Sequence, residues 1–355
     1  IINFADLKGS LGNLPIDGAG SLDFSKEKPK LTANIKTGTV IIENFIPVQQ
    51  RSKTKNQIWQ PLKKLPVSWP SLQDKTSHPY FLKVTNLRDS RKGKINFMNL
   101  NALDAAINIK SKAFFFKNYF LQNPQVIANI YKGKLEVKEL SGKLFNGDLK
   151  GSGTISPNDM NQISAKIKLS NTDLNEMLLS IYGKSHATGL LNLGLNLKTK
   201  GQNIKRFTNN LNGTANFNVQ NLNIKTKNIV FSRYFDLMTH FNKSKPNQTK
   251  GNSKITGSVK ITDGIAQIKN LMLTSALGQG EARGYIDLPK WHININGDIK
   301  LTQNFLINIL KKNSDKEKNI VPFSLIGQLD SPKIEINTGP FLGKNLDNNI
   351  TPVGI

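Results

Sequence analysis

Leu191-Asn192-Leu193-Gly194-Leu195-Asn196-Leu197-Lys198 decides the fold class of this chain. Every second residue is leucine, and asparagine, glycine and lysine fill the places between. A period of two is what a β-strand imposes, because successive side chains leave opposite faces of the backbone. The segment therefore reads as a strand with one apolar and one polar face. The pattern recurs on both sides of it. Ala215, Phe217 and Val219 alternate with Asn and Gln, and Ile163, Ala165, Ile167 and Leu169 alternate with Ser and Lys. His292-Ile293-Asn294-Ile295-Asn296 does the same and resumes at Ile299 and Leu301. Ribbons of this kind need a cover for the apolar side, which a second layer, a helix or a ligand supplies.

Glycine opens many of these runs, as in Gly133-Lys134-Leu135, Gly142-Lys143-Leu144, Gly147-Asp148-Leu149 and Gly153-Thr154-Ile155. Gly189, Gly257, Gly264 and Gly284 precede later ones. Glycine reaches the positive φ of tight hairpin turns, so antiparallel meanders are expected. A spacing of ~8–12 residues fits a sandwich, a barrel or a long curved sheet. No strict period appears, so any repeat is degenerate.

Three amphipathic helices interrupt the strands. Residues 172–182 place Leu174, Met177, Leu178 and Ile181 on one face, with Asp173 and Glu176 at capping-box spacing and Gly183 at the C-terminal cap. Tyr234, Leu237, Met238 and Phe241 repeat the spacing in 232–241. A third helix near 303–312 presents Phe305, Leu306, Ile309 and Leu310 and ends in Lys311 and Lys312, which suit its negative dipole end. The fold class is mainly β with a few helices (α+β): long curved antiparallel-rich sheets with three helices packed on them. Four prolines with Trp59 and Trp69 mark 49–79 as a linker. The expected layout is 1–48 as the end of a β repeat, 80–156 as a β-meander, 157–340 as a C-terminal β domain, and 341–355 as a tail.

Composition narrows the function. The chain has 355 residues, of which 37% are hydrophobic, and can bury a core. Cysteine is absent, which removes disulfides, thiolate metal sites and cysteine nucleophiles. The net charge of +25 admits a nucleic-acid or anionic-membrane reading. Yet Asn outnumbers Asp and Glu together, and the lysines are dispersed, as compositional drift would leave them. Their clusters at 51–55, 63–64, 243–254 and 311–318 read as loops. His78, His186, His240 and His292 lack partners at zinc spacing. No P-loop, G-x-S-x-G or dinucleotide fingerprint occurs, nor any nucleic-acid module. The expectation is a protein that is not an enzyme, with no cofactor and no metal.

Three terminal segments carry a family resemblance. Asp263-Gly264-Ile265-Ala266 opens a strand, and Gly278-Gln279-Gly280-Glu281-Ala282-Arg283-Gly284-Tyr285-Ile286-Asp287-Leu288 follows. Pro322-Phe323-Ser324-Leu325-Ile326-Gly327-Gln328-Leu329-Asp330-Ser331-Pro332 closes the series. Leu135, Leu140, Leu144-Phe145-Asn146-Gly147 and Gly151 form an earlier hairpin set. In this order the segments resemble the C-terminal region of the AsmA family of bacterial envelope proteins. Two departures stand out: Asn146 replaces a glycine, and Gln220-Asn221 replaces Asp-Gly before Leu222.

The resemblance implies an inner-membrane anchor upstream and a body in the periplasm. It also implies a role in outer-membrane assembly or inter-membrane phospholipid transport. The chain opens on Ile1 rather than Met, so a preceding segment holding that anchor is expected. The candidate lipid-facing residues are Leu191, Leu193, Leu195, Leu197, Phe217, Val219, Ile293 and Ile295, and the expected partner is phospholipid or a membrane surface, with envelope proteins beside it. The rival reading is a structural or adhesive β-rich surface protein, passenger-like, with no lipid role. A basic nucleic-acid-binding protein and a polysaccharide-modifying enzyme stand further back.

Overall fold

The computed structural model describes residues 1–25, 27–42, 97–157, 160–185, 187–224, 253–275, 278–302, 319–329 and 331–336. Its strands are β1 (Ile2–Leu11), β2 (Leu14–Asp23), β3 (Lys30–Ile41), β4 (Asp104–Phe116), β5 (Tyr119–Tyr131), β6 (Lys134–Leu144), β7 (Gly147–Ser156) and β8 (Asn161–Asp173). After helix α1 (Leu174–Tyr182) come β9 (Ala187–Gly201), helix α2 (Ile204–Asn209) and β10 (Asn212–Ile224). The series ends with β11 (Lys254–Thr262), β12 (Ile265–Ser275), β13 (Gly278–Asp287), β14 (His292–Leu301), β15 (Ile320–Gln328) and β16 (Ser331–Ile336).

All sixteen strands belong to one sheet, and each lies beside its neighbours in the chain, from β1 at one edge to β16 at the other. This is one open meander, not a sandwich or a closed barrel. Every adjacent pair is antiparallel except β3 and β4, which run parallel with Leu31 opposite Ala105 and Ile35 opposite Ile109. Parallel neighbours cannot be joined by a tight hairpin, and residues 42–103 lie between these two. The sheet continues without a break from β7 to β8, with Ile155 opposite Ile163.

Hairpin chemistry explains the antiparallel run. Lys132-Gly133, Phe145-Asn146 and Asp263-Gly264 are two-residue turns with positive φ at both positions. That geometry matches the twist of the flanking strands. The expected role of glycine needs correction, however. Of the glycines read as turns, Gly133 and Gly264 hold that place, and Gly147 begins the strand after one. Gly142, Gly153, Gly189, Gly257 and Gly284 lie inside strands. Close approach is the reason: a Cβ on Gly257 would stand 2.5 Å from the Phe217 ring, and one on Gly142 would stand 2.9 Å from both the Gln122 carbonyl and the Leu121 side chain. Asn146 and Asn221, the departures noted above, both adopt positive φ. Asn221 does so within a register shift of β10, so it serves a bulge rather than a hairpin.

Helix α1 forms where the 172–182 spacing puts it. The Asp173 carboxylate accepts from the backbone N–H of Asn175 at 2.9 Å and of Glu176 at 3.3 Å, and Gly183 closes the helix at φ 71°. The capping box is only half made, because the Asp173 N–H donates to the Phe145 carbonyl instead. Helix α2 was not expected; it has six residues, too few to display a 3.6 period, and starts at Asn203, whose side chain accepts from Arg206 N–H. The helices expected at 232–241 and 303–312, the linker 49–79 and the tail 341–355 lie outside the described residues.

Candidate functional site

The cross-strand register sorts the alternating residues of β8 to β15 into unbroken rows on one face. One row runs Ile167, Leu195, Ala215, Val259, Ile268, Gly284, Ile295, Leu325. Its neighbour runs Leu169, Leu193, Phe217, Gly257, Leu271, Ala282, Gly297, Phe323. A third joins Ala165, Leu197, Gly213, Ile261, Ala266, Ile286 and Ile293, and a fourth joins Leu191, Val219, Ile255, Leu273, Gly280 and Ile299. Every member of these rows is apolar or glycine. At the ~4.8 Å strand spacing the first two rows, which cross eight strands, are roughly 34 Å long. The face continues toward the other edge through pairs such as Leu149 with Leu169 and Gly151 with Ile167.

All eight sequence candidates fall on this face, in two environments. Leu191 and Val219 are buried with Leu174 beneath α1, whose Met177 and Leu178 pack on the same cluster. Ile293 and Ile295 are buried with Ile268 and Ala282, flanked by Leu271, Phe323 and Leu325. These four side chains are core. Leu193, Leu195, Leu197 and Phe217 are half-buried. Leu193 and Phe217 pack at the margin of the α1 cluster, whereas Leu195 and Leu197 lie outside the described clusters. Ile167, Val259, Leu271, Ile286 and Leu325 are half-buried as well, so the accessible part of the apolar face runs along β8 to β15, with α1 closing one end of β9 and β10.

Residues that complete the rows escaped the sequence reading, among them Ile261, Ile268, Leu271 and Leu325. Their strands alternate visibly, but which strand stands beside which, and in what register, is a property of pairing rather than of any one segment.

The opposite face is mainly polar across β8 to β11, and Met272, Tyr285 and Ile326 interrupt it further along. Its residues include Lys150, Lys166, Lys168, Asn196, Thr214 and Lys260, linked by Lys150 opposite Lys168 and Lys166 opposite Asn196. Lys143 Nζ pairs with Asp148 Oδ1 at 2.7 Å across the β6–β7 hairpin. That hydrogen bond, the Lys143 charge and then the Lys150 charge hold the Asp148 carboxyl below its ordinary value. Among the described residues no group of three or more His, Cys, Asp or Glu could hold a metal ion, and no helix is long and apolar enough to cross a membrane. His292 lies at the start of β14, opposite Asp287 and Gln328.

These features define a class: an open, two-faced β-sheet protein whose apolar rows cross many strands without interruption. The sequence model of the AsmA family matches residues 2–283, most of the chain, and the protein belongs to that family of bacterial envelope proteins. The segment Pro322–Pro332, which also resembles the family, lies beyond the matched residues. No curated protein and no solved structure matches the chain.

Proposed function

We propose that this protein is a non-enzymatic component of the bacterial envelope. It shields phospholipid acyl chains on the apolar face of β8 to β15, in support of inter-membrane phospholipid transport or outer-membrane assembly. The observation that carries the reading is the set of apolar rows in which Leu193, Leu195, Leu197 and Phe217, among others, are left half-buried. Such a surface gains ~25 cal/mol for each Å² that an acyl chain removes from water. A strip of roughly 34 Å exceeds the ~15 Å hydrocarbon depth of one leaflet, so whole acyl chains fit along it. Family membership supports placing the body in the periplasm, with an inner-membrane anchor upstream.

The test is mass spectrometry of lipid extracted from the purified chain. Phospholipid is expected in the parent and its loss in Leu195→Asp, which puts a carboxylate into the rows. Lipid-free parent protein would leave the structural or adhesive reading in its place.

A further inference from the structure

The polar face has a feature of its own. On β7 to β11 it carries Lys150, Lys166, Lys168, Lys198 and Lys260, all exposed. The carboxylates of those strands are already engaged: Asp148 by Lys143, and Asp173 by the first turn of α1. Lys150 and Lys168 stand directly opposite each other, and Lys166 follows on the same side of β8, between Ser152 and Asn196. Like charges facing one another across a strand pair are destabilising unless an anion lies between them. The three lysines line an open cleft of about 730 Å³ together with Asn192, Asn196 and Asn216, with Lys138 and Glu139 also in its lining, and Ile167, Leu169, Leu193, Leu195 and Phe217 of the apolar rows border it too. Gly194 faces this side between Lys168 and Asn216, and a Cβ there would meet nothing within 4 Å.

We propose that this cleft docks the protein on an anionic phospholipid surface, with headgroup phosphates received among Lys150, Lys166 and Lys168. The choice of a bilayer as partner rests on the lipid reading above, but the lysine side chains lie on the opposite face of the sheet. Geometry favours a planar array of phosphates. The lysines are spread over neighbouring strands at ~4.8 Å and along a strand at ~7 Å, on an open face. Ammonium groups on flexible stems suit such an array, whereas the planar fork of arginine suits a fixed bidentate partner. The neighbouring amides and hydroxyls of Asn196, Asn216, Ser152 and Thr214 add donors for phosphate oxygens. Docking by this face leaves the apolar rows unobstructed.

The experiment is sedimentation of the full chain with phosphatidylcholine vesicles, with and without added phosphatidylglycerol. The parent is compared with Lys150→Gln/Lys166→Gln/Lys168→Gln and with Lys36→Gln/Lys110→Gln/Lys300→Gln, which removes equal charge elsewhere on the polar face. Binding is expected only with phosphatidylglycerol, to weaken with salt, and to fall on the order of 100-fold in the first variant. The second variant should keep most of it. Equal losses in the two variants would reduce the effect to net charge and overturn the proposal. So would binding that ignores phosphatidylglycerol, or duplex DNA that displaces the vesicles through the same lysines. Leu197→Asp separates the two ideas, since Leu197 belongs to the apolar rows but not to the cleft lining: it should abolish extracted lipid while leaving vesicle docking intact. Docking lost from a chain that still carries lipid sinks only this inference.

Discussion

Thr172 is fully buried, and its Oγ1 has no hydrogen-bond partner. It sits against Gly147, on which a Cβ would stand 2.6 Å from that oxygen. An orphaned buried hydroxyl costs about 1–3 kcal/mol, so Thr172→Val, which keeps the shape, should raise stability by about 1 kcal/mol in urea unfolding. The next residue behaves oppositely. Asp173→Ala removes the carboxylate oxygen that accepts from both N–H groups of the first α1 turn and should lower stability by about 1 kcal/mol. Glu176→Ala should cost much less, because the Asp173 N–H is satisfied by Phe145 and does not wait for a Glu176 carboxylate. The Lys143–Asp148 pair gives a pH signature. Asp148 titrates lower when folded, so its contribution is present above the ordinary carboxylate range and is lost as pH falls through the depressed value. Lys143→Gln should flatten that acid limb in a pH series of melting curves.

At the scale of elements, the strands were legible because a period of two is written into each segment separately. Leu191 to Leu197 reads as a two-faced strand with no knowledge of its neighbours, and so do Ile163 to Leu169 and His292 to Leu301. Helix α1 was legible for the same local reason, its stripe and both caps lying within a dozen residues. What single segments do not carry is pairing. Gly257 and Gly284 look like turn formers in sequence, yet they lie mid-strand, where neighbouring groups close into the space a Cβ would fill. The candidate residues shared this fate: all eight fall on one face, but their split into core and accessible members depends on α1 and on the β10–β15 rows. Phe217 tests the rows as packing. Its ring lies over Gly257, and Phe217→Ala should cost about 2 kcal/mol, less than a fully buried aromatic because the ring is half exposed.

At the scale of the molecule, one sheet in chain order keeps its buried apolar residues on one side and, across β7 to β11, its lysines on the other. Antiparallel order follows from short turns between alternating strands. The single parallel step at β3–β4 is where two meanders join, and the Leu31–Ala105 and Ile35–Ile109 pairs carry the apolar side across that join. A two-layered protein of this size would bury such a face against a partner layer. Here the partner for Leu193, Leu195 and Leu197 is proposed to be lipid. Neighbouring residues of β9 alternate between the two faces, so that strand contains its own control. A photo-crosslinking side chain placed at Leu195, and separately at Asn196, reports which face meets the acyl chain of a tail-labelled phospholipid. Lipid adducts are expected at position 195 and none at 196; adducts at neither position, or at both equally, would mean that the apolar face does not shield acyl chains.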